Sequence, residues 1–176
     1  LKDFCAYVTD NTSADKNIIT ANEGNAIALA SGYHLATGKI GLVYMQNSGQ
    51  GNTINPLTSL ADQEVYSIPI LLLIGWRGEP NKKDEPQHIK QGKITLKLLD
   101  TLEIPYSVLP DSIEQTKKVL ETTFNFMKEK NSPYALIVKK DTFESYSSEK
   151  EMKTSFEHLR ESALKLVINT LDPDDI

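Results

Sequence analysis

The run IPILLLIGW at residues 68–76 constrains this chain more than any other feature. It carries no charge and no polar alternation, so both faces of whatever it forms must be buried. A helix crossing a bilayer needs about 20 apolar residues, which this run cannot supply. A short, continuous apolar run is the mark of a strand inside a parallel sheet, covered by helices above and below. The rest of the chain repeats the pattern. IITA, IGLVYM, YSVL and YALIVKK are further apolar runs, and helical patterns lie among them at residues 1–8, 23–37, 93–102 and 113–130. Such alternation predicts an α/β fold: a doubly wound, mainly parallel sheet of five strands with helices on both faces. QNSGQGNTINP reads as a polar loop and LTSLADQEVY as helical. Residues 141–155 read as a polar linker before an amphipathic helix at residues 156–171.

Charge and cysteine content exclude several classes of partner. Acidic residues number 24 against 19 basic ones, the net charge is −5, and lysine and arginine form no stripe. That balance argues against nucleic acid and anionic membranes. The single cysteine, Cys5, has no internal disulfide partner and falls on an apolar helical pattern. It reads as a packed thiol in a reducing, cytoplasmic setting. No signal-peptide pattern is visible. The abrupt ends, LKDFCAYV and LDPDDI, read as those of a piece cut from a longer polypeptide. Histidines and carboxylates do not recur at metal-ligand spacing, so no metal site is expected within the chain.

In doubly wound sheets, ligands gather beyond the carboxyl ends of the strands. Three polar, glycine-bearing segments fall there: NEGNA, QNSGQGN and RGEPNKKDEPQH. Glu23 opens a helix, where a carboxylate can serve the helix dipole or a proton transfer. The alanine-rich helix behind it packs closely and would bury that first turn, and a buried acid without a partner is costly. In the second segment Asn47, Ser48, Asn52 and Asn55 concentrate directional hydrogen-bonding groups, although a plain turn fits the composition equally. It lacks the spacing and lysine of a P-loop. The third holds His88, with Arg77 and Lys90 close in sequence. His34 and His158 sit on helical patterns without polar neighbours and read as structural.

At these residues the chain resembles a known family. ITANEGNAIALASGYHLATGKIGLVYMQNSGQGNTINPLTSLAD and LLLIGWRGEPNKKDEPQHIKQG are similar to the pyrimidine-binding domain of thiamine-diphosphate-dependent decarboxylases. Within that superfamily the likeness is greatest to phosphonopyruvate decarboxylases, and next to the alpha chains of sulfopyruvate decarboxylases. It runs from Leu1 to about Lys139. The resemblance implies thiamine diphosphate and Mg2+ as cofactors. It implies that Glu23 bonds the pyrimidine ring nitrogen N1′ and favours the imino form of the exocyclic amine, which then takes the proton from the thiazolium carbon. Asn47, Ser48 and Gln50 would border the pyrimidine. Gln87 and His88 would contact substrate, His88 also as a catalytic group. Arg77, Lys82 and Lys90 would pair with a phosphonate.

The resemblance also sets the domain plan. Residues 1–140 would be the pyrimidine-binding domain, without the family's first strand and the turn after it. Residues 141–155 would be a linker, and 156–176 a helix leading to a diphosphate-binding domain that the sequence does not contain. That domain would hold the diphosphate and magnesium, in the same polypeptide or as a separate chain, within a homo-oligomer. The implied reaction is decarboxylation of 3-phosphonopyruvate to phosphonoacetaldehyde and carbon dioxide, a carbon–carbon lyase activity that this chain alone would lack. The alternatives are a sulfopyruvate decarboxylase alpha chain and a non-catalytic partner that keeps the fold. A nucleotide-binding flavodoxin-like domain fits the sheet pattern only.

Overall fold

The computed structural model describes residues 1–148, 159–172 and 174. Gly41–Gln46 (β1), Ile70–Gly75 (β2), Tyr106–Val108 (β3) and Tyr134–Val138 (β4) form one parallel sheet in the order β1-β2-β4-β3. The apolar run is its interior: every residue of β2 is buried, with Leu71 beside Leu42 on one side and Ile74 beside Ile137 on the other. Each leucine or isoleucine so buried contributes about 1.5–3 kcal/mol.

Two cores flank the sheet. Ile70, Leu72 and Ile74 pack with Ile27 and Ala30 of Glu23–Thr37 (α2) and Leu99 of Pro86–Thr101 (α4). Leu71 and Leu73 point the other way, into a core with Met127 of Ile113–Lys130 (α5) and Phe4 of Lys2–Asn11 (α1). The α/β fold with a doubly wound parallel sheet and helices on both faces is therefore present. Gln50–Pro56 (α3) links β1 to β2, and Arg160–Thr170 (α6) is the last helix, its residues all exposed.

Among the described residues four strands stand where five were expected. Ile18–Thr20 carries no strand pairing, and Ile18 and Ile19 are 54% and 89% exposed. A strand needs a neighbour for its backbone groups. This segment instead faces the outer edge of β1 across a groove of about 760 Å³. Two further expectations are corrected. The glycine-bearing stretch after β1 coils at once, through a 3₁₀ turn at Asn47–Gly49, into α3 and a wide turn at Leu57–Ala61. Turns, not a helix, fill most of the rest of LTSLADQEVY. And α4 begins at Pro86, not residue 93, with proline in its first turn, where the missing N–H costs nothing.

The segment after β4 is tied back to α1. Within residues 141–148, Tyr146 takes a bond from its N–H to Asp3 and donates its hydroxyl to Asp10, while Phe143 stacks on Phe4. The rest of the expected linker and the start of the helix expected at 156–171, His158 included, lie outside the described residues.

Candidate active site

Glu23 is placed by the start of α2. Asn22 caps that helix, its side chain accepting from the Asn25 N–H at 3.0 Å, so the capping task is already filled. The Glu23 carboxylate instead reaches across to the segment after β1, where Asn52 Nδ2 donates to its Oε2 at 2.8 Å. Its other oxygen, Oε1, lies against Gly49, where a β-carbon would overlap the carboxylate. The acid is half-buried, less enclosed than the small-residue helix predicts, and it lies at one end of the groove beside β1.

Asn47 works differently from its neighbours. It is fully buried: its Nδ2 donates to the Arg77 carbonyl and to Thr95 Oγ1, each at 2.8 Å, and its Oδ1 accepts from the Arg77 N–H at 3.1 Å. With every polar atom of its side chain engaged, it clamps the segment after β2 to the segment after β1. Gln91 of α4 reinforces the clamp by donating to the Asn47 carbonyl at 2.7 Å. Gln50 is also buried; its Nε2 donates to the Thr95 carbonyl at 3.3 Å, and its Oε1 has no protein partner among the described residues. Ser48 is exposed and accepts from Gln46 Nε2 at 3.1 Å.

The turn from β2 to α4 is organised by Asp84. Arg77 grips both of its carboxylate oxygens, Nε to Oδ2 at 2.9 Å and Nη2 to Oδ1 at 2.6 Å, and the Gly78 N–H adds a third bond at 2.7 Å. These donors, with the guanidinium first, hold the Asp84 carboxyl well below the usual carboxylate range. His88 comes to the same carboxylate, Nδ1 3.0 Å from Oδ1, and places its Nε2 3.5 Å from Gln46 Nε2.

The expected site residues thus divide. Glu23 and His88 stand on two sides of one segment, residues 46–52, the first touching Gly49 and Asn52 and the second Gln46. Along α4, His88, Gln91 and Thr95 share the face turned toward β1, while Lys90, two residues on from His88, lies on the other side of the helix. Gln87, Lys82 and Lys90 are exposed at this edge. Arg77, expected as a substrate cation, has two of its donors committed to Asp84. Asp84 and Gln46 are contacts that the sequence did not single out, whereas Asn52, read there only as a hydrogen-bonding group, holds Glu23. His34 bonds the Lys39 carbonyl, as a structural histidine does. Burial pushes the Cys5 thiol up, in keeping with a packed thiol. No group of three His, Cys, Asp or Glu side chains that could hold a metal occurs among the described residues, and none of their helices is long and apolar enough to cross a membrane.

Comparisons with known proteins bear on this arrangement. The family described as thiamine pyrophosphate enzyme, N-terminal TPP binding domain, matches residues 2–100. The chain is 34% identical over 140 residues to a phosphonopyruvate decarboxylase of Streptomyces viridochromogenes, covering 76% of this chain and 34% of that protein. It is 35% identical over 138 residues to sulfopyruvate decarboxylase subunit alpha of Methanococcus maripaludis, covering 78% of this chain and 79% of that one. It is 38% identical over 126 residues to the corresponding subunit of Methanocaldococcus jannaschii, covering 70% and 72%. By name these relatives are decarboxylases, which are lyases. The chain spans about a third of the length of the phosphonopyruvate decarboxylases it matches.

Proposed function

This chain belongs to the thiamine pyrophosphate enzyme family through its N-terminal TPP binding domain, and we propose that it is the pyrimidine-binding part of a cytoplasmic enzyme that decarboxylates 3-phosphonopyruvate to phosphonoacetaldehyde and carbon dioxide. One observation carries the reading: a carboxylate at the carboxyl edge of the sheet that caps nothing, held at Oε2 by Asn52 and pressed at Oε1 against a glycine. That arrangement suits a group that must share a proton with a flat ring nitrogen laid close to backbone. When bound, thiamine diphosphate supplies the electron sink for the pair released with carbon dioxide. Glu23 holds the proton at the pyrimidine nitrogen, and Asn52 fixes the carboxylate that does so. The diphosphate and its magnesium are assigned to a diphosphate-binding domain, in cis or as a partner chain, and the working enzyme to an oligomer.

The resemblance of DEPQH to phosphonopyruvate decarboxylases favours a phosphonate, and the exposed Lys82 and Lys90 would serve a phosphonate or a sulfonate alike. A second reading has its own support, since the chain covers 79% of a sulfopyruvate decarboxylase subunit alpha. The test is carbon dioxide release by the enzyme assembled with its diphosphate-binding part, from phosphonopyruvate, sulfopyruvate and pyruvate. Phosphonopyruvate is expected to give the highest kcat/KM, and pyruvate, which lacks the second anion, to fall about 10- to 100-fold below it. Preference for sulfopyruvate moves the assignment to the alpha-chain reading. Preference for pyruvate removes the role of Lys82 and Lys90. If calorimetry detects no thiamine diphosphate binding, the domain is a non-catalytic partner.

The groove beside β1 gives the domain plan a physical basis. An open strand edge leaves N–H and C=O groups unpaired, and here Leu42 and Tyr44 face a trough whose far wall is Ile18–Asn22. The groove supports the reading in which a strand ahead of the first helix, as the resemblance implies, would lie between β1 and Ile18–Thr20. In a chain that carries this strand, hydrogen exchange should slow at the β1 amides and at Ile18–Thr20. Unchanged exchange at both would show that the strand, if present, lies elsewhere.

A further inference from the structure

The geometry around Asp84 points to a task of its own: we propose that Asp84 is a positioning residue that fixes the tautomer of His88, so that the ring turns a bare Nε2 toward Gln46. The proposal deepens the decarboxylase reading and rests on it for the reaction served, although the tautomer stands on local geometry alone.

Four N–H groups donate to the two Asp84 oxygens besides the imidazole. Arg77 Nη2 at 2.6 Å and the Glu85 N–H at 2.8 Å reach Oδ1, while Arg77 Nε at 2.9 Å and the Gly78 N–H at 2.7 Å reach Oδ2. A carboxylate so crowded with donors stays ionised and can only accept, in keeping with its lowered pKa. His88 Nδ1, 3.0 Å from Oδ1, must therefore be the nitrogen that carries the hydrogen. A neutral imidazole has one N–H, so Nε2 is left with its lone pair. The far side of the ring agrees. Gln46 Nε2 has two hydrogens: one goes to Ser48 Oγ at 3.1 Å, and His88 Nε2 lies at 3.5 Å to receive the other. The ring is 13% exposed, so packing holds it in this orientation.

The arrangement sorts the charges of the site. His88 offers a proton acceptor, not a cation, when neutral. Arg77 braces Asp84, and of the other two expected cations Lys82 is exposed in the turn before α4 while Lys90 lies on the helix side away from His88.

Histidine ring ¹⁵N spectra of the protein test this without cofactor or substrate. At a pH high enough that the ring signals no longer change, the parent protein should show an unprotonated Nε2 and a protonated Nδ1 for His88, its signals identified by their loss in His88→Gln. In Asp84→Ala the acceptor facing Nδ1 is gone, and the ring should move toward the Nε2–H form that a free histidine prefers. In Arg77→Gln the carboxylate remains, and the tautomer should not change. A protonated Nε2 in the neutral ring of the parent protein would overturn the proposal, as would a folded Asp84→Ala whose ring is unchanged. Should Asp84→Ala fail to fold, the parent spectrum and Arg77→Gln still decide. In the assembled enzyme, Asp84→Ala should lower kcat about 10²-fold with KM little changed; a switched tautomer with normal kcat would remove the positioning role. Absence of decarboxylase activity in the parent enzyme would strike the function reading and leave the tautomer result standing.

Discussion

Glu23→Gln in the assembled enzyme is expected to lower kcat by about 10²–10⁴-fold, the usual worth of a positioned proton-transfer group. Glutamine keeps the shape and can still accept from Asn52, so the held geometry survives while the exchangeable proton does not. The fold should be indifferent to the change, because Asn22 and not Glu23 caps α2. A melting temperature within about 1–2 °C of the parent is therefore expected. Gly49→Ala provides an independent approach to the same carboxylate. The Gly49 backbone, at φ −84° and ψ −9°, suits alanine, and the nearest atoms that the added methyl meets are those of the Glu23 side chain. That methyl should push the carboxylate aside and cost about 10²-fold in kcat, as a misplacement near 1 Å does. Near-normal kcat in both variants would take Glu23 out of the chemistry.

Gly92→Ala is expected to have the largest effect on stability. Gly92 of α4 is packed directly on the backbone of Gly78, and a β-carbon there would fall inside the Gly78 carbonyl. Unlike Glu23 beside Gly49, the obstructing atoms are main chain. Gly78 cannot easily move, since it sits in the left-handed region at φ 68° and donates its N–H to Asp84. Trp76 adds a further constraint, its Nε1 donating to the Gly92 carbonyl at 2.9 Å. Forcing these elements apart should cost about 3 kcal/mol or more, a fall in Tm of roughly 10 °C. The same change should loosen the Asp84–His88 contact. A Tm equal to the parent's would show that α4 and the turn before it slide past each other freely.

What the sequence discloses and what it hides follow from how local each feature is. The β2 strand is legible because burial on both faces leaves an unbroken apolar run, and α2 because Asn22 and Gly38 mark its two ends with short-range chemistry. Ile18–Thr20 has the composition of a strand but not the pairing, since pairing depends on what lies beside it in space. Asn47, Gly49 and Gly51 look like loop residues, yet the buried Asn47 clamp winds this stretch into turns and α3. Pro86 was a usable start signal for α4 that the surrounding charges obscured. Glu23 stands out as an acid at a helix start. Asp84 does not, because its meeting with Arg77 and His88 depends on a left-handed turn at Gly78.

The most direct measurement is the rate at which the C2 proton of bound thiamine diphosphate exchanges with deuterium, followed by NMR in the assembled enzyme. If Glu23 shares a proton with the pyrimidine, exchange should be about 10²–10⁴-fold slower in Glu23→Gln than in the parent. Equal rates, with the cofactor bound equally in both, would contradict that role.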